Sequence, residues 1–79
     1  MSKLKHGPVV LGTLIHTVGN EIILKGKVVP ALGAKVYDEE LNHVGYVSNV
    51  FGPVSSHFVA IKLTTDKQYS QGSKFYITE

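Results

Sequence analysis

The chain holds one dense group of carboxylates, Asp38-Glu39-Glu40, and four histidines, His6, His16, His43 and His57. Catalysis would need from them an acid–base pair, an activated nucleophile or a bound metal. The carboxylates stand at the end of an apolar run and lead into polar residues through His43, so a solvated turn is expected there. No two histidines have the HxH or HExxH spacing that would turn two imidazoles toward one metal. They are expected at the surface or at a rim. Ser55-Ser56-His57 sets hydroxyls beside an imidazole, but neighbours in one tight turn seldom reach the geometry of a nucleophile and its base, and no acid is placed to orient the ring. The eight glycines, at 7, 12, 19, 26, 33, 45, 52 and 72, match neither G-x-G-x-x-G nor G-x-x-x-x-G-K-[ST]. There is no cysteine, hence no thiolate, no disulfide and no sulfur-ligated zinc. The expectation is a protein that is not an enzyme and has no cofactor or metal.

Charge narrows the partners. Eight lysines face six carboxylates for a net charge of +2, and protonating the four histidines would take it to +6. Arginine is absent. Guanine edges and phosphates are read largely by the guanidinium fork, so direct sequence-specific recognition of nucleic acid is not expected. Lys25, Lys27, Lys35, Lys62, Lys67 and Lys74 read as solubilising charges, with a weak phosphate-facing patch as the alternative. No run approaches the roughly 18 apolar residues of a membrane span, and no signal-peptide core follows the basic start, so a soluble, cytoplasmic protein without a membrane partner is expected.

These residues must be carried by strands. At 79 residues the chain has material for one domain. No window keeps apolar residues at i, i+3, i+4 and i+7 for three turns, whereas short β-branched runs recur between glycines about every ten residues. The runs are Val9–Thr17, Glu21–Lys25, Ala34–Asp38, Val44–Phe51, Phe58–Leu63 and Phe75–Ile77. Gly19-Asn20 suits a tight turn, making the first two a hairpin. Pro30 keeps the stretch from Gly26 to Gly33 out of a central strand. Six strands without a covering helix must close on themselves to bury an apolar face, so the fold expected is all-β, a small six-stranded closed barrel over residues 9–79 with a flexible segment over 1–8.

Ile22, Leu24, Val36, Val47, Val59, Ile61, Leu63, Phe75 and Ile77 would fill so small a barrel. Tyr37, Phe51, Phe58 and Tyr76 are then left at its rim or surface. Val44, Tyr46, Val47, Val50 and Phe51 cannot all share one pleat face, which predicts a bulge near Val47 or an outward apolar set. Gly52-Pro53 is a stiff turn flanked by Phe51, Val54 and Phe58. On these residues alone it is either a preformed contact surface or a hairpin corner whose side chains fold back inward.

Taken in order, several segments resemble a known family. They are Leu11-Gly12, Val36-Tyr37-Asp38, Val44-Gly45-Tyr46-Val47, Val50-Phe51-Gly52-Pro53-Val54, Phe58-Val59-Ala60-Ile61-Lys62, and Gly72 through Ile77. This looks like the core domain of the glycine/arginine-rich-protein subunit of H/ACA ribonucleoproteins, the RNA-guided pseudouridine synthases. The resemblance spans residues 9–77. It implies a six-stranded barrel similar to those of elongation factors. It also implies a non-catalytic role in rRNA modification, docked on a dyskerin-type catalytic subunit, where the barrel influences a mobile loop and aids substrate RNA loading and product release. Guide and substrate RNA would be met indirectly or weakly. Without glycine/arginine-rich tails the chain resembles the archaeal type. The resemblance favours contact for Phe51, Gly52, Pro53, Val54 and Phe58, and the other apolar proline loop, Val28-Val29-Pro30, is the second candidate, with Val29 and Pro30 at its head. A PRC-barrel interaction module, which also opens with V-Y-D, a polar turn and G-x-V, is the alternative; F-G-P-V separates the two.

Overall fold

A computed structural model of the chain describes residues 7–78. The segment expected to be flexible, 1–8, therefore falls for its first six residues, His6 included, outside the described residues. The rest forms six strands: β1 (Pro8–Val18), β2 (Glu21–Gly26), β3 (Lys35–Tyr37), β4 (His43–Phe51), β5 (Phe58–Leu63) and β6 (Lys74–Thr78), with one short 3-10 turn at Val54–Ser56. All pairings are antiparallel, and the order β1-β2-β5-β4-β3-β6 returns to β1. This is the expected closed six-stranded barrel, and closure leaves the sheet no open edge.

β1 makes closure possible. Its first half pairs with β6, from Pro8↔Thr78 to Thr13↔Lys74, and its second half pairs with β2, from Gly12↔Gly26 to Val18↔Glu21. A strand serving two neighbours along its length must bend, and two register shifts provide the bend, one between Val10 and Gly12 and one between Leu14 and His16.

The core is a single cluster. Eight of the nine residues expected inside are buried, and Leu63 is half-buried and packs against them. Leu11, Leu14 and Val44 complete the cluster and were not among those expected. Each belongs to a stretch where a bulge breaks the two-residue alternation. Leu11 and Leu14 are both inside although three residues apart, as are Val44 and Val47. Both solutions foreseen for β4 operate together. The register shifts between Val47 and Asn49, one step beyond Val47, while Tyr46 and Phe51 point outward.

Candidate functional site

The register sorts the loops into two groups. Phe51, Phe58 and Lys25 are neighbours across β4, β5 and β2, so the corner 52–57 and the loop 27–33 leave the barrel at one end. Glu21 pairs with Lys62, and Leu63 with Gly45, so the β1–β2 tip, the 38–42 turn and the 64–73 loop gather at the other.

At the first end, Phe51 stacks on Phe58 with ring centroids 5.7 Å apart and planes 30° from parallel. Lys25 Nζ lies 5.7 Å from the Phe58 centroid, within cation–π range, so the lysine covers one side of a half-buried ring. The chain then turns through Gly52, at φ 97, a left-handed conformation that a side chain would resist. Pro53 follows at φ −65, and its carbonyl accepts the Ser56 N–H at 3.0 Å, closing the 3-10 turn. This turn buries nothing. Val54 at its start is 86% exposed, the most exposed large apolar side chain described.

The neighbouring loop is of the same kind. Val29 and Leu32 are 63% and 68% exposed, while Pro30 between them is buried. Of the residues expected at a contact, Phe51, Gly52, Pro53, Val54 and Val29 thus lie on the surface and Phe58 is half covered. Pro30, expected beside Val29 at the second contact, is covered by the protein itself in the free chain. Leu32 had not been singled out, although a leucine in a short loop bounded by Pro30 and Gly33 has few apolar neighbours in sequence to hide it.

His57 corrects an expectation. It is 6% exposed, not at the surface, and its Nε2 lies 2.8 Å from the Val28 carbonyl oxygen. The imidazole is therefore directed at the neighbouring loop. Ser55 and Ser56 are both exposed, and no hydrogen bond joins them to His57 among the described residues.

The opposite end is organised by Asp38, which is also buried rather than solvated. Its Oδ1 accepts the N–H groups of Glu40 and Asn42, each at 2.9 Å, and its Oδ2 accepts the Tyr69 hydroxyl at 3.0 Å. Lys67 Nζ stands 3.8 Å away. Burial alone would raise the Asp38 pKa, but these donors and the nearby ammonium outweigh it and hold the carboxyl below its ordinary range. Burial, and then the bond to that carboxylate, push the Tyr69 phenol up to about 12. The Tyr69 ring meets Phe75 edge-on at 5.1 Å, which ties the 64–73 loop to the core. No group of three or more His, Asp or Glu side chains is placed to hold a metal among the described residues, and no described helix is long and apolar enough to cross a membrane.

Comparison with known proteins gives one answer. Residues 9–79 match the family model described as the Gar1/Naf1 RNA binding region. The chain is 28% identical over 73 residues to H/ACA ribonucleoprotein complex subunit 1-like protein 2 of Arabidopsis thaliana, a match covering 86% of this chain and 39% of that protein. It is 28% identical over 72 residues to H/ACA ribonucleoprotein complex subunit GAR1 of Kluyveromyces lactis, covering 85% of this chain and 33% of that protein. The chain thus spans little more than a third of the length of these relatives. Among solved structures it is similar to the Gar1 domain of Naf1, with a TM-score of 0.75 and 26% identity over 99% of this chain and 88% of that one. The comparisons favour the H/ACA resemblance over the PRC-barrel alternative. With the match running the length of the barrel, this chain belongs to the Gar1/Naf1 RNA-binding-region family.

Proposed function

We propose that the chain is a non-catalytic accessory subunit of an H/ACA-type RNA-guided pseudouridine synthase, and that it docks through the end of the barrel formed by loops 27–33 and 52–57. The observation that carries the docking surface is the exposure of Val29, Leu32 and Val54 on two adjacent loops and of Phe51 at the strand end that enters one of them. Outward apolar side chains on well-fixed loops suit the buried centre of an interface, where a few such anchors supply most of the binding energy. The Gly52-Pro53 turn is set before contact, which lowers the ordering cost of association.

The partner proposed is the dyskerin-type catalytic subunit, a reading that rests on the family and on relatives named as subunits of the H/ACA complex. Docked there, the barrel influences a mobile loop of the synthase and so aids substrate RNA loading and product release. The family's description includes RNA binding. With lysines and no arginine, this chain offers RNA phosphates point charges rather than a bidentate fork, a contact suited to weak, sequence-tolerant approach. The test is to mix the purified chain with a dyskerin-type synthase at micromolar concentrations without guide RNA. A one-to-one complex on size exclusion is expected; two separate peaks would overturn the proposal.

A further inference from the structure

His57 is neither a member of the apolar core nor an exposed contact side chain, yet it is almost fully buried. A carbonyl oxygen only accepts, so the 2.8 Å contact with Val28 requires His57 Nε2 to carry hydrogen and donate. The His57 carbonyl in turn accepts the Gly26 N–H at 3.0 Å. One residue of the 52–57 corner thus grips the start of the 27–33 loop twice, once with its backbone and once with its side chain. The space for the ring exists because residue 26 is glycine: a Cβ there would overlap the imidazole. Two further bonds fix the loop's ends to the barrel, from Lys27 N–H to Leu11 O and from Gly33 N–H to Val47 O, both at 2.8 Å. Between these anchors stand Val29 and Leu32. Among the described residues, the side-chain bond that joins this loop to the corner bearing Val54 is the one from His57.

We propose that His57 is a latch that joins the two loops into one preformed docking surface, holding Val29 and Leu32 in fixed relation to Phe51 and Val54. This rests on the docking reading above. His57 is a positioning residue: it acts through the loop it holds. Its effect on affinity comes from ordering the loop before the partner arrives, since a loop that must be ordered on contact weakens binding.

The test uses His57→Phe, which keeps a ring but loses the donor, and His57→Gln, whose amide restores a donor at comparable reach. Amide hydrogen exchange in the free protein reads the latch, and titration against the synthase reads its consequence. Exchange at Gly33 and at Ala34, whose N–H is held by Ala31 inside the loop, is expected to quicken roughly tenfold in the phenylalanine variant, and affinity for the synthase to fall by a similar factor, with glutamine restoring both to within about threefold. If the phenylalanine variant does not fold, His57→Gln and His57→Asn carry the same comparison, because asparagine is one methylene too short to reach Val28. Unchanged exchange overturns the latch. Quickened exchange with unchanged affinity also overturns it, since His57 would then serve the fold alone. A wild-type protein that fails to bind the synthase sinks the docking reading, while the exchange measurement still decides whether His57 fixes the loop.

Discussion

The two ends of the barrel are built by the same device and finished in opposite ways. Each fixes its loops with a buried polar side chain that reaches across the chain, His57 to Val28 at one end and Asp38 to Tyr69 at the other. What remains outside differs. The His57 end presents Val29, Leu32, Phe51 and Val54, whereas the Asp38 end presents Glu39, Glu40, Asp66, Lys67 and Gln68 with the apolar side chains of Leu41 and Val18. Fixing a loop is therefore not in itself a sign of a docking surface. The contrast lies in the outward chemistry, and burial of apolar loops by a partner is the economical explanation for leaving them bare.

The comparison breaks most sharply at Asp38. Asp38→Ala removes the acceptor for two backbone N–H groups and the Tyr69 hydroxyl. Hydrogen bonds to a charged group are worth more than neutral ones, and the expected loss is about 3 kcal/mol in urea unfolding. Where the variant is folded, its affinity for the synthase should match wild type. A binding defect in folded protein would erase the distinction between the ends.

The reciprocal change is Phe51→Ala with Val54→Ala. Val54 contributes little to the fold at 86% exposure, and Phe51 loses mainly its stacking on Phe58. Stability should fall by about 1 kcal/mol, while affinity for the synthase falls roughly thirtyfold, about 2 kcal/mol. A double variant that circular dichroism shows to be unfolded would place these side chains in the core instead.

The smallest effect is read most clearly in the pH dependence of stability. The Asp38 pKa is depressed, so its contribution is present above the unfolded value near 3.8 and is lost as pH falls through the lower folded value. The Tyr69 pKa is raised, so its contribution is full below the ordinary value of 10.0 and is lost as pH rises toward about 12. Tyr69→Phe should cost about 1 kcal/mol at neutral pH and flatten the alkaline limb of a stability–pH profile, leaving the acid limb attributable to the remaining Asp38 bonds. An unchanged alkaline limb would show that the Tyr69–Asp38 bond does not fix the 64–73 loop.

The barrel was legible because glycine and proline punctuate β-branched runs at regular intervals, and because six uncovered strands have to close. A bulge near Val47 was legible too, from an apolar run that one pleat face cannot hold, but those at Leu11 and Val44 were not. Leu11 and Val44 enter the core because each is the extra residue of a bulge in its own strand, opposite β6 and β3, which depends on pairing rather than on local pattern. Asp38 and His57 were misjudged for a related reason, since their deciding partners, Tyr69 and Val28, are 31 and 29 residues away. Part of the Asp38 network was open to reading: an aspartate at the head of a turn can accept N–H groups two and four residues on, as Asp38 does from Glu40 and Asn42. The turn at Phe51-Gly52-Pro53-Val54 was visible as an apolar cluster around a stiff corner. Its outward orientation needed coordinates, because β4 changes face after Val47.

The central claim is that the His57 end, and not the Asp38 end, meets the catalytic subunit. Amide hydrogen exchange on the free chain and on its complex with a dyskerin-type synthase tests it directly. Protection gained over residues 27–33 and 51–58, with 38–42 and 64–73 unchanged, is the predicted result. Protection confined to 38–42 and 64–73 would contradict the account.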